Sequence, residues 1–149
     1  MALARVQIAE DKAKFVKSLR TSEDEIGLFQ TYGDILTLAA VLGFNRKRRL
    51  PLNKASGDPS AVLQEQFRNG MIISLIAAAE IQESKILSSS EEDDRMRVQI
   101  FQEYANGGLE ILQNELRGVT DHLSKISLLL DVERHRNESK EEFDLSLFL

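Results

Sequence analysis

The sequence predicts an all-α protein, an irregular single-domain bundle of about five to seven helices. Apolar residues recur at steps of three and four along most of the chain, which is the spacing of one helix face. Only two prolines and eight glycines interrupt the 149 residues, too few for the many turns of a β-sandwich. This length suits one domain with one core, and the sequence contains no convincing strand or internal repeat.

The N-terminal part contains two predicted helices and a loop. Residues 8–19 form the first helix, because their apolar side chains share one helical side. The second helix starts after an N-cap at Thr21 or Ser22 and ends at Gly43, a common type of C-terminal stop. Residues 45–60 hold both prolines and many charges, so they are predicted to form a basic loop.

The middle of the chain predicts three more helices. Residues 61–67 form a short one capped by Ser60, and residues 71–87 form an apolar core helix. The three serines at 88–90 each precede an acid by three residues, which offers overlapping capping boxes for a helix over residues 91–105.

Asn106, Gly107 and Gly108 interrupt a stretch that is otherwise helical. Each glycine costs about 1 kcal/mol relative to alanine within a helix. The three residues can form a helix joint, or they can let a neighbouring helix approach the bare backbone. We expect the joint, because apolar periodicity restarts at Leu109.

The C-terminal part predicts one last helix and a tail. The helix starts at Thr120, with Asp121 also able to cap it, and dissolves into a polar run. We therefore predict a helical domain over residues 1–137, followed by a polar spacer and apolar tail over residues 138–149. The tail either docks on a partner protein or folds back over its own core. Its docking residues would be Phe143, Leu145, Leu147, Phe148 and Leu149.

Composition limits the cellular setting. The absence of cysteine excludes disulfides, thiol nucleophiles and thiolate metal sites. The N-terminus lacks the apolar stretch of a signal peptide, so we expect a cytoplasmic protein. The most apolar run, residues 71–81, is too short to span a membrane and contains Glu80. A net charge of −5 argues against coating of nucleic acid, although a local basic patch could still bind it.

We assign no catalytic, cofactor-binding or metal-binding residue from the sequence, and we expect no enzymatic activity. No glycine-rich loop ends in the lysine that a phosphate-binding NTPase requires. His122 and His135 are too isolated for a zinc site or a catalytic triad. The Glu-Ser-Lys triplets at 83–85 and 138–140 resemble a fragment of nuclease sites but lack the sheet. The acids at 91–94 are better explained by helix capping than by cation binding.

The basic run, residues 46–49, is the sharpest charge feature. It can contact DNA phosphates, meet an acidic partner, or pair internally, for example with the acids at 91–94. The predicted contact residues are Arg46, Lys47, Arg48, Arg49 and Lys54.

Two segments resemble a known family. FQTYGDILTLAAVLGFNRKRRLPL, residues 29–52, and IFQEYANGGLEIL, residues 100–112, are similar to signature segments of the Dnd system-associated protein 4 family, and AAEIQESKIL, residues 78–87, is similar to the part that links them. The resemblance covers most of residues 28–116. It implies a setting in bacterial operons that place sulphur in the DNA backbone or restrict unmodified invading DNA, and it implies no catalytic residues.

These observations rank three functions. The first is a non-catalytic accessory subunit of a DNA-targeting defence complex. It would bind a larger ATPase or nuclease, and its basic run would contact either DNA or that partner. A homo-oligomer is also compatible with the sequence. The second is a small DNA-binding regulator of a defence operon, and the third is a metal-dependent nuclease.

Overall fold

The computed structural model describes the backbone of residues 3–21 and 27–146, and side chains as far as residue 135. Its helices are α1 (Ala13–Leu19), α2 (Tyr32–Asn45), α3 (Met71–Ile81), α4 (Glu91–Leu116) and α5 (His122–Ser146). Short 3-10 turns cover Glu10–Lys12, Gln64–Gln66 and Ser84–Leu87. Within the described backbone, extended segments meet only in isolated β-bridges. The all-α class and the expected number of helices are therefore confirmed.

The chain divides into two compact units, residues 1–114 and 115–149. The first holds α1 to α3 and most of α4, and the second holds the end of α4 and all of α5. The proposed boundary at residue 137 stays a prediction.

The N-cap of helix α2 lies ten residues after Thr21, the first of the two predicted cap residues. Thr31 is its N-cap, and the Thr31 hydroxyl accepts a hydrogen bond of 3.1 Å from the amide of Asp34. The prediction of Thr21 as the cap is wrong, because α2 begins at Tyr32 and the Thr21 hydroxyl donates instead to the Gly27 carbonyl at 2.8 Å. Ser22 lies outside the described residues. Helix α2 also passes through Gly43 and ends at Asn45, so Gly43 is not its stop.

Three other predicted helices are shorter than expected. Residues 8–12 are extended or 3-10 before α1, and residues 61–67 contain only a 3-10 turn. Val62 is held extended because it exchanges two backbone hydrogen bonds with Val6, at 2.9 and 2.7 Å. Helix α3 stops at Ile81, where Gln82 adopts the left-handed conformation with φ of 59°.

Helix α4 begins at a serine cap, as predicted, but only one of the three serines caps the helix. The Ser90 hydroxyl accepts a hydrogen bond of 3.1 Å from the amide of Asp93. Hydrogen bonds from the Ser88 and Ser90 hydroxyls lower the pKa of the Asp93 carboxyl. Asp93 is thus the acid of this first helical turn that takes part in the cap.

The predicted joint at Asn106, Gly107 and Gly108 is wrong, because α4 runs through all three without a break. An ideal Cβ on Gly108 would lie 1.6 Å from the carbonyl oxygen of Ala39, and one on Gly107 would lie 1.9 Å from that of Arg48. The glycines let α2 and the chain after it approach the bare backbone of α4. Close packing therefore outweighs the helix-propensity cost of about 1 kcal/mol per glycine.

The core of the first unit is built mainly from α2, α3 and α4, together with the N-terminal segment. Phe101 is fully buried on α4 and meets Phe67 edge to face, with ring centroids 5.5 Å apart. The largest fully buried side chains in this unit are Phe101, Ile8, Leu19, Ile35, Leu36, Ile73, Ile100, Leu109 and Leu112.

In the second unit, Asp121 caps α5 as predicted, since its carboxylate accepts a hydrogen bond of 3.1 Å from the amide of Ser124. The helix itself begins at His122 rather than at Thr120. The predicted end before the polar run is wrong, because the backbone stays helical to Ser146. In the described part of the chain, no helix combines the length and the apolar character needed to cross a bilayer.

Candidate functional site

The basic loop lies against the middle of α4. It leaves α2 through Lys47, whose φ is 56°, and the amide of Arg48 donates to the Gly43 carbonyl at 2.7 Å. The amide of Leu50 then donates to the Glu103 carbonyl of α4 at 3.0 Å. The loop is therefore fixed by backbone contacts as well as by charge.

Arg49 is the centre of a polar cluster on this surface. Its Nε donates to a carboxylate oxygen of Glu103 at 2.7 Å, and a guanidinium nitrogen lies 3.9 Å from Glu80. The guanidinium carbon also lies 5.9 Å from the centroid of the Tyr104 ring. Because Glu103 is 9% exposed, its charge needs this partner.

Tyr104 joins the same cluster through its hydroxyl, which donates to the carboxylate of Glu80. Burial, followed by the hydrogen bond and charge of Glu80, raises the pKa of Tyr104 to about 12. The phenol is therefore a neutral donor at neutral pH. The Tyr104 ring also meets Phe44 of α2 edge to face, with centroids 5.3 Å apart.

Two of the other predicted contact residues form ion pairs with acidic side chains. Arg48 pairs with Glu110 on α4, and Lys54 lies 3.2 Å from Glu10. Lys47 is exposed, whereas Arg46 is half-buried. Internal pairing thus occurs for Arg48, Arg49 and Lys54, but their partners are not the acids at 91–94.

Replacing Arg49 by alanine is expected to lower the free energy of unfolding by about 1–2 kcal/mol, because Glu103 would lose its main partner while nearly buried. Arg48→Ala is the matched control, since the Arg48 side chain is 48% exposed and should contribute at most about 1 kcal/mol. Urea denaturation measures both. Equal losses in the two variants would contradict a special role for Arg49.

A second polar group joins the loop, α4 and the N-terminal segment. The side-chain amide of Asn106 donates to the carbonyls of Leu50 and Pro51 at 3.2 and 3.4 Å. Its oxygen accepts a hydrogen bond of 3.3 Å from the ammonium of Lys12, which is only 5% exposed. Among the described residues, no buried side-chain nitrogen or oxygen lacks a partner.

The acidic residues of α4 that pair with the basic loop were not predicted from the sequence. Glu103 and Glu110 are seven residues apart with Gly107 between them, so all three lie on one face of α4. That spacing predicts an acidic helix face against which a basic segment can pack. The spacing has this meaning only if α4 is continuous through its glycines.

Apolar side chains form a separate exposed surface on α3. Met71 is 67% exposed and Leu75, one turn later, is 54% exposed. In the second unit, α5 exposes Leu123, Leu128, Leu130 and Val132. Of the predicted docking residues in the tail, Phe143 and Leu145 continue the backbone of α5, and Leu147, Phe148 and Leu149 lie outside the described residues.

The first Glu-Ser-Lys triplet lies at a 3-10 turn, and both histidines lie on α5. Glu83 and Lys85 are both exposed at the 3-10 turn after α3. His122 is half-buried at the start of α5, and Nδ1 of His135 lies 2.8 Å from the Asp131 carbonyl oxygen. Across the described side chains, no three His, Cys, Asp or Glu residues are grouped so that they could hold a metal ion.

Comparison with known proteins now adds to this geometry. No curated protein and no solved structure matches the chain. A family model described as DNA sulphur modification system-associated protein 4 matches residues 5–148. The segments 29–52 and 100–112, which resemble that family, pack against each other as α2 with its basic loop and the middle of α4. The chain belongs to the DNA sulphur modification system-associated protein 4 family.

Proposed function

We propose that this protein is a non-catalytic accessory subunit of a bacterial DNA-targeting defence complex, linked to DNA phosphorothioation or to another antiphage activity. It would bind a larger ATPase or nuclease subunit. The family description, which associates these proteins with a DNA sulphur modification system, supports that setting.

The observation that carries the proposal is the exposed face of α3. A helix that is apolar on nearly all sides is normally enclosed by protein. Helix α3 has the sequence MIISLIAAAEI, yet Met71 and Leu75 are more than half exposed. A contiguous apolar surface of this kind is a common site of protein association.

Co-purification tests this proposal. The tagged full chain, expressed with its neighbouring gene products, should retain a larger subunit, and Met71→Asp/Leu75→Asp should abolish that retention. Leu128→Asp/Val132→Asp on α5 is the matched control, because it adds the same charge to two exposed apolar residues one turn apart. If only the α5 variant loses the partner, the interface lies on α5 instead. A wild-type chain that retains no partner would contradict the proposal.

The proposal also gives roles to the basic run and to the C-terminal tail. The basic run and Lys54 would contact DNA or the partner, although the internal pairs of Arg48, Arg49 and Lys54 reduce the charge that they can offer. The tail, residues 143–149, would add to the docking surface. The alternative function is a small DNA-binding regulator of a defence operon.

A further inference from the structure

We propose that a groove along α4, which adjoins the surface under the basic run and shares Glu103 with it, binds the phosphate backbone of duplex DNA. The groove is a cleft of about 500 Å³ between residues 4–7, residues 51–55 and the face of α4 that contains residues 95–102. This inference extends the proposed membership of a DNA-targeting complex by giving the DNA contact a location.

The walls of the groove are held in place by hydrogen bonds of backbone amides. The amide of Ala4 donates to the Asp94 carboxylate at 2.7 Å, and the Gln7 amide donates to the Gln102 side-chain oxygen at 3.0 Å. On the opposite wall, the Glu10 amide donates to the Lys54 carbonyl at 2.9 Å. The groove is therefore formed before any ligand binds, which reduces the entropic cost of binding.

The groove concentrates positive charge in a protein whose net charge is −5. Arg5, Lys54 and Arg95 line it, and the one carboxylate in the lining, Glu103, already pairs with Arg49 at 2.7 Å. Lys54 pairs with Glu10, but both side chains are more than half exposed, so this pair is weak and exchangeable.

Arg5 and Arg95 are the cations most available to a ligand. Both are exposed, and neither forms an ion pair with any acid in the described part of the chain. On the same helix, Asp94 is next to Arg95 but is buried and paired with Arg97 at 3.5 Å. Glu91 and Glu92 lie one turn before Arg95. Glu91 and Glu92 should lower the affinity of the groove for phosphate without preventing binding, because both side chains are exposed and screened by salt.

The lining chemistry favours a nucleic acid backbone over a peptide. Guanidinium and amide groups donate to phosphate oxygens, and Gln7, Asn53, Gln99 and Gln102 add such amides. Peptide docking relies on large apolar and aromatic anchors, and none of the described residues that line the groove is aromatic. Its apolar lining residues are Ala4, Pro51, Leu52, Ala55 and the buried Val98. From Arg95 to Gln102 the helix rises about 10 Å, which matches about three phosphates of one strand.

Fluorescence anisotropy with a labelled short duplex tests the inference on the full chain. Three phosphate contacts predict that log affinity falls against log salt with a slope of about −3, measured between about 50 and 200 mM salt. Arg5→Ala/Arg95→Ala should reduce that slope by about 2 and weaken binding on the order of 50-fold at about 100 mM salt. Both side chains are exposed, so the melting temperature should not change.

Lys14→Ala/Lys85→Ala is the control, because it removes two exposed cations outside the groove and leaves the same net charge. The control should bind duplex DNA like the wild type. Equal weakening of both variants would mean that only total charge matters and would overturn the inference, as would an absence of binding in low salt. Displacement of the duplex by polyglutamate of equal charge would assign the groove to acidic peptides instead.

Should Arg5→Ala/Arg95→Ala lower the melting temperature, Arg5→Gln/Arg95→Gln retains the side-chain length and repeats the measurement. Loss of DNA binding in a variant that still co-purifies with its larger subunit supports the groove and the accessory role separately. Loss of co-purification with intact DNA binding leaves the groove and contradicts only the accessory role.

Discussion

Gly108→Ala is expected to destabilise the protein by about 3 kcal/mol or more, although alanine is the better helix former by about 1 kcal/mol. The new Cβ would lie 1.6 Å from the carbonyl oxygen of Ala39, 2.4 Å from its carbonyl carbon and 2.8 Å from its Cα. All three atoms are backbone, so no side-chain rotation relieves the overlap. Helix α2 would have to move away from α4.

Gly70→Ala is the matched control for this change. An added Cβ at Gly70 meets no atom within 4 Å, and its φ of −62° suits alanine. Its free energy of unfolding, measured by urea denaturation, should stay within about 1 kcal/mol of the wild type. A Gly108→Ala variant as stable as Gly70→Ala would contradict the close approach of α2 and α4.

Asn106→Ala is expected to lower the free energy of unfolding by about 2–3 kcal/mol, because the buried Lys12 ammonium and two part-buried backbone carbonyls each lose a hydrogen bond. The ammonium of Lys12 would keep only the bond of 3.2 Å to Asp11, and the carbonyls of Leu50 and Pro51 would each lose a donor. Asparagine is a poor helix former, so propensity alone predicts the opposite sign. The buried network therefore decides the result.

Asn114→Ala provides the comparison on the same helix, since Asn114 is exposed. It should leave stability unchanged or raise it by a few tenths of a kcal/mol. Thermal and urea denaturation of the two variants measure the difference. If both variants gained stability, the hydrogen bonds of Asn106 would not contribute to the fold.

The sequence predicted the helical class because the apolar period of α2, α3 and α4 survives any error at their ends. The positions of the helix ends depend on tertiary contacts, which the local sequence pattern does not contain. Thr21 and Thr31 are both good caps, and only tertiary contacts select Thr31. Gly43 and Gly108 look like breakers, yet each lies inside a helix because a neighbouring backbone occupies the space of its missing side chain.

The candidate site was likewise predictable only in part from the sequence. The basic run is contiguous, so composition alone reveals it. Its acidic partners lie between 31 and 62 residues further on. Glu80 lies on α3, and α4 must be continuous before Glu103 and Glu110 share a surface. The cations of the proposed DNA groove, Arg5, Lys54 and Arg95, lie far apart in the sequence and are brought to one cleft only by folding.

The hydrogen bonds of the N-terminal segment also affect when this protein can fold during synthesis. Ala4 and Lys12 bind partners that lie 90 and 94 residues later, in α4. Contacts of such high sequence separation slow folding, and on the ribosome they cannot form until α4 has emerged. The first unit should therefore acquire protease resistance in one late step, after nearly all of its residues have left the exit tunnel, rather than helix by helix.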